Sequence, residues 1–171
     1  MIHPLVKILT VDGFFSQDEA IHIADITRNL TFVNHDFGGE IENFNMIPEN
    51  ANELFSNIIG SDLIVDEDVS GIIRRPNFFI HFENFQNTNE WIFAVALEQS
   101  TFNVYEHQSG ATTALNGYKF KYLNLFEWDL QINYILKPGQ GILFRPWLFH
   151  SFDNGLIQMF RLQDKGIKND S

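Results

Sequence analysis

Cysteine is absent from this 171-residue chain, and with it go disulfide frameworks, cysteine-ligated zinc, iron–sulfur clusters and thiol nucleophiles. A chain without thiols is compatible with any redox compartment. Positive charge is also scarce, with 11 Lys and Arg against 22 Asp and Glu, giving a formal net charge of −11. That charge repels phosphate backbones, and the basic residues form no block or stripe to offset it, so no nucleic-acid partner is expected. Long hydrophobic runs are missing too: none approaches the roughly 18 residues of a membrane span. Met1-Ile2-His3-Pro4-Leu5 lacks the basic start and apolar stretch of a signal peptide. The expectation is a soluble, unprocessed chain with no membrane partner and, by default, a cytoplasmic location. No internal repeat or low-complexity tract divides the chain.

Aromatic residues are abundant, with 18 Phe dispersed among other apolar residues, and they read as the filling of a β core. The length suits a single domain, 1–171, that buries a continuous core without covalent staples. Leu5 to Val11 has the alternation of a strand, and Asp12-Gly13 turns it toward Ser16 and Glu19, a capping box that predicts a helix over about 17–29. The Gly-rich stretch 34–48 reads as a loop or short hairpin. A second helix starts at Pro48-Glu49, buries Ala51, Leu54, Phe55, Ile58 and Ile59, and stops at Gly60.

From Asp68 onward, short branched and aromatic runs alternate with Gly, Pro, Asn and Asp. Strands are expected near 69–75, 78–84, 91–98, 101–107, 118–123, 129–136, 141–145, 147–152 and 156–162. The fold class is therefore α+β and mainly β: a helical N-terminal part (about 1–67) packed on a sandwich or barrel (about 68–162), with a polar, fraying tail at 163–171.

His81-Phe82-Glu83 is the most informative run for chemistry. On a strand, His81 and Glu83 project from one face, so one ion could touch both. A second imidazole is available at His150, behind the Pro138-Gly139 turn, the apolar run Gly141 to Phe144, and Pro146, which breaks that run. Two His and one carboxylate suit a non-haem Fe(II) with open positions. The bland alternative makes His81 a core imidazole, Glu83 a solvated strand end, and His150 a strand-end histidine bonded to a carbonyl.

The order Ile73-Arg74-Arg75-Pro76-Asn77-Phe78-Phe79-Ile80-His81-Phe82-Glu83, then Trp91 to Leu97, Pro138 to His150 and Arg161, resembles a known family. It is similar to the iron(II)/2-oxoglutarate-dependent dioxygenases, particularly the prolyl-hydroxylase-like branch of the double-stranded β-helix superfamily. The likeness spans about residues 5–162 in element order, and its diagnostic residues are His81, Glu83, His150 and Arg161. It implies a jelly-roll core and Fe(II) held by His81, Glu83 and His150, which are thus the catalytic residues. It also implies 2-oxoglutarate as co-substrate, its distal carboxylate paired with Arg161. Arg145 competes for that role, and the fork of either guanidinium suits a carboxylate. The implied reaction is hydroxylation of a small-molecule or peptide substrate with decarboxylation of 2-oxoglutarate to succinate. Glu83 stands where Asp is commoner in the family, and its extra methylene calls for a wider site.

Other residues offer chemistry beside these. Arg74 and Arg75 could hold an anionic substrate group. Tyr105 and His107 share a strand face and read as pocket lining or surface; His35-Asp36 reads as a solvated loop. A cupin-like metal protein fits Gly141 to His150 with Asn154, but such a site wants a second His near position 81. A non-catalytic double-stranded β-helix binding module is the alternative from a different class.

Overall fold

Ten strands and two helices make up the computed structural model, which describes residues 7–34, 40–42, 46–74, 80–83, 88–108 and 127–164. The strands are β1 (Ile8–Val11), β2 (Val33–Asn34), β3 (Glu40–Glu42), β4 (Leu63–Arg74), β5 (Trp91–Ala96), β6 (Ser100–His107), β7 (Trp128–Leu136), β8 (Gly141–Phe144), β9 (His150–Asp153) and β10 (Leu156–Asp164). The helices are α1 (Gln17–Thr27) and α2 (Ala51–Ile59). All the paired strands run antiparallel, in a seven-stranded sheet of order β1-β8-β5-β10-β4-β3-β2 and a three-stranded sheet of order β7-β6-β9. The fold is mainly β. None of the described helices is long and apolar enough to cross a membrane.

Alternation along the strands of the large sheet divides the core into two layers. Trp91, Phe93, Val95, Leu143, Phe160 and Leu162 face the helices, where Ala20, Ile23, Phe55 and Ile59 close over them. Ile92, Ala94, Ala96, Ile142, Phe144 and Ile157 face the small sheet and meet Phe102, Val104 and Phe152. The large sheet is therefore buried on both faces, which is why its central strands read as continuous apolar runs.

The helix starts and stops follow local chemistry. Ser16 Oγ accepts from the Glu19 N–H at 3.1 Å, and the Ser16 N–H donates to Glu19 Oε2 at 2.7 Å, completing the predicted capping box. Gly60 ends α2 in the left-handed region at φ 73°. The expected hairpin between the helices is seen in the β2–β3 pairing.

Several strand boundaries differ from expectation. β4 begins at Leu63 rather than 69, because Leu63, Ile64 and Val65 pair with Asp164, Gln163 and Leu162. The same pairing takes Gln163 and Asp164 out of the expected tail. The strand expected over 147–152 starts only at His150, since Pro146 and Trp147 form a turn closed by Leu148 N–H donating to the Arg145 carbonyl at 3.1 Å. The 78–84 strand is reduced, among described residues, to a single bridge between His81 and His150. The 118–123 strand, His35-Asp36 and Arg75 lie outside the described residues.

Candidate metal centre

Backbone pairing, more than side-chain packing, brings the three candidate ligands together. His81 N–H donates to the His150 carbonyl at 3.0 Å and His150 N–H returns to the His81 carbonyl at 2.9 Å. Directly opposed residues place their side chains on one face, and the two imidazole centroids are 4.4 Å apart. Two residues on, Glu83 N–H donates to the Pro146 carbonyl at 2.7 Å, and the Glu83 carboxylate lies beside the His81 ring. Candidate ligand atoms of His81, Glu83 and His150 all lie within 4.8 Å of one another.

His150 is fully buried at the end of the sandwich interior, with the Phe144 ring 4.6 Å away. Its Nδ1–H donates a hydrogen bond to the Leu148 carbonyl at 2.8 Å, and this leaves Nε2 with a lone pair. That Nε2 is buried and has no hydrogen-bond partner; Glu83 Oε1 lies 3.8 Å away. Oε1 instead meets His81 Nε2 at 2.9 Å. A buried imidazole nitrogen left without a partner is costly, and a cation among the three groups would satisfy it.

The electrostatics keep two of the ligands unprotonated near neutrality. Burial, reinforced by the charge of His81 and opposed by Glu83 and the Leu148 carbonyl, drives His150 from 6.5 to about 3. Burial pushes the Glu83 carboxyl upward. The His81 hydrogen bond and the charges of His81, His150 and Arg161 outweigh it and bring Glu83 from 4.5 to about 2.

The two candidate arginines face opposite sides of the large sheet. Arg161 pairs with Ile92, so it alternates with Ile157 and Met159 on the face toward the small sheet, the side on which His150 lies. The β4–β10 register breaks at this point, Met159 pairing with Gly71 and Arg161 with Asp66, and Ser70 Oγ accepts the Arg161 N–H at 3.3 Å. Such irregularities re-aim side chains beside sites. Arg161 Nη2 donates to Glu90 Oε2 at 2.8 Å. Arg145 follows Leu143 on the helix side, where its guanidinium lies 3.7 Å from the centre of the Trp91 ring. Its Nη1 donates to the carbonyls of Thr88 and Glu90 at 3.1 and 3.2 Å, and burial lowers its pKa to about 10.

Glu90 escaped the sequence reading, although a lone acidic residue opening an otherwise apolar strand is a visible signal. Tyr105 and His107 do not reach the triad. Tyr105 hydroxyl bonds Ser151 Oγ at 3.0 Å on the outer face of the small sheet, and buried His107 packs its ring on Trp128. Arg74 lies over the Phe32 ring at 4.1 Å.

No protein family matches the sequence, and no curated protein matches it. The fold does have solved counterparts. The chain is similar to the non-heme alpha ketoglutarate dependent epimerase SnoN from nogalamycin biosynthesis, with 12% identity over 92% of this chain and 78% of that one, and a TM-score of 0.63. SnoN in complex with Fe3+, alpha ketoglutarate and nogalamycin RO gives 0.57, with 11% identity over 92% of this chain and 79% of that one. HygX from Streptomyces hygroscopicus, with nickel and 2-oxoglutarate bound, gives 0.55, with 11% identity over 93% of this chain and 83% of that one. At these identities the likeness is one of fold.

Proposed function

We propose that this protein is an Fe(II)- and 2-oxoglutarate-dependent oxygenase on a double-stranded β-helix, with iron held by His81, Glu83 and His150. The observation that carries the reading is the buried, unpartnered Nε2 of His150, aimed at the cluster it shares with Glu83 and His81. Two imidazoles and a carboxylate are the donor set such an iron takes. The metal would supply oxygen activation coupled to decarboxylation of 2-oxoglutarate to succinate.

The chain's own residues do the rest. Leu148 fixes the His150 tautomer through its carbonyl. Phe144, Phe102 and Phe152 surround the His150 ring and keep water from its buried side. Arg161, on the same interior face, holds the distal carboxylate of the co-substrate. Arg145 is the poorer candidate for that role, because its guanidinium is spent on two carbonyls and the Trp91 ring across the sheet.

Hydroxylation of a small-molecule or peptide substrate is the outcome we favour. Structures of similar fold hold hygromycin B and nogalamycin RO, which supports a small molecule. The net charge of −11 favours one that is neutral or cationic. Because SnoN is an epimerase, a second outcome on this fold is inversion of a carbon centre. Product mass separates the two: one oxygen atom heavier for hydroxylation, unchanged for epimerisation.

The test is anaerobic titration of the chain with Fe(II) and then 2-oxoglutarate, following the visible metal-to-ligand charge-transfer band. Unaltered protein should develop the band, His81→Ala should not, and Arg161→Ala should bind iron while losing 2-oxoglutarate affinity. Absence of the band, and of succinate formation once oxygen is admitted, in the unaltered protein would return the fold to the role of a binding module.

A further inference from the structure

Glu90 is where the two arginines converge. Arg161 Nη2 donates to its carboxylate at 2.8 Å, while Arg145 Nη1 donates to its main-chain carbonyl at 3.2 Å and to that of Thr88 at 3.1 Å. The residue is 2% exposed and directly precedes Trp91, over whose ring Arg145 lies. Its backbone is thus clamped from the helix side of the sheet, and its carboxylate is presented to Arg161, which faces the sandwich interior.

A carboxylate this close and this buried neutralises the guanidinium it touches, because little water intervenes to screen the pair. A dicarboxylate arriving at Arg161 meets an ion pair in place of a lone cation. It must share the guanidinium with Glu90 or displace it, against the repulsion of a second negative charge. Displacement has its own cost, since Glu90 would lose this ion pair while staying buried.

We infer that Glu90 is a built-in counter-carboxylate for Arg161 that weakens 2-oxoglutarate binding and so sets the co-substrate concentration at which the site fills. This rests on the reading of Arg161 as the co-substrate anchor. Glu90 is a positioning residue in this scheme: it acts through Arg161, orienting the fork while cancelling its charge.

Glutamine at position 90 keeps the shape and an amide oxygen for the Arg161 N–H but removes the charge. Calorimetric titration of the Ni(II)-loaded chain with 2-oxoglutarate should therefore show Glu90→Gln binding about tenfold or more tighter than the unaltered protein. Pyruvate offers the same 2-oxo acid to the metal without a distal carboxylate, and its affinity should be the same in both proteins. Unchanged or weaker 2-oxoglutarate binding in Glu90→Gln, or an equal gain for pyruvate, overturns the inference while leaving the oxygenase reading standing.

A measurement on the unaltered chain guards against a variant that fails to fold. With Arg161 already neutralised, replacing the distal carboxylate by an amide, as in 2-oxoglutaramate, should weaken binding by about tenfold or less. A loss of about a hundredfold or more would mean that Arg161 meets its ligand as a full cation, and Glu90 would have no such role. Should the Ni(II)-loaded chain bind neither 2-oxoglutarate nor pyruvate, the reading of the site itself fails and this inference with it.

Discussion

His81 and His150 are a hydrogen-bonded antiparallel pair, each donating its N–H to the other's carbonyl at 3.0 and 2.9 Å, with ring centroids 4.4 Å apart. The consequence is that the spacing of two imidazoles is fixed by main-chain bonds, which vary little, rather than by side-chain packing. Glu83 enters the same arrangement through its N–H to the Pro146 carbonyl. A ligand set built this way is preorganised, since most of the ordering is complete before any ion arrives.

Preorganisation gives a direct prediction for metal binding. Ni(II) at about 100 times its dissociation constant should stabilise the chain by about 2.7 kcal/mol, read as a rise in the thermal midpoint. His81→Ala and His150→Ala should each abolish that rise. Glu83→Gln keeps the hydrogen-bonding shape but not the charge, and should weaken Ni(II) by tenfold or more. A midpoint shift that survives His150→Ala would place the ion elsewhere.

How far this was legible in the sequence follows from how local each signal is. His81-x-Glu83 and the Pro138-Gly139 turn before His150 are short-range patterns, and strand alternation alone makes them suggestive. Which arginine faces the interior was not readable, because Gly141 to Phe144 is buried on both faces and its alternation carries no inside–outside signal. The Glu90–Arg161 pair depends on the register of β5 against β10, which packing sets. β4 runs further than its local pattern shows, because Asp66-Glu67-Asp68 interrupts the apolar alternation while pairing with β10 continues from Asp66 back to Leu63.

The buried, neutral state of His150 predicts an acid-sensitive fold. Its pKa falls from 6.5 to about 3 on folding, so between those values the unfolded chain binds the extra proton and stability rises with pH. The contribution is complete above about pH 6.5 and is lost as pH falls, at about 1.4 kcal/mol per pH unit. Glu83, whose folded pKa is lowered, stabilises above about 4.5 and loses that effect only toward about 2. Metal-free urea unfolding should therefore show about 2 kcal/mol more loss between pH 7 and pH 5 in the unaltered chain than in His150→Gln. Equal losses would mean that His150 titrates normally.

Arg145 and Arg161 should part company when each is truncated. Arg145 is 1% exposed, gives hydrogen bonds to two carbonyls and stacks on Trp91. Arg145→Ala should cost about 3 kcal/mol or more of stability, from unpaired carbonyls and a lost cation–π contact. In the fraction that stays folded, 2-oxoglutarate affinity should not fall. Arg161→Ala should do the reverse on affinity. Denaturant titration paired with co-substrate calorimetry distinguishes them, and loss of affinity in folded Arg145→Ala would reassign the anchor.

The link between His150 and Arg161 is the last place where the backbone decides the site. Asn154 and Gly155 join β9 of the small sheet to β10 of the large one, with φ of 64° and 77°, the signature of a type I′ turn. A Cβ at Gly155 would clash with the Gln99 carbonyl oxygen, so alanine there meets both a strained φ and a backbone clash. Gly155→Ala should cost at least ~2 kcal/mol, measured by urea unfolding. Asn154→Gly relieves a positive φ and should change stability by only a few tenths of a kcal/mol. Because the turn carries the chain from one candidate ligand to the candidate anchor, Gly155→Ala should also weaken Ni(II) and 2-oxoglutarate together. A variant that lost stability but kept both affinities would show that the two sheets hold His150 and Arg161 in place without this turn.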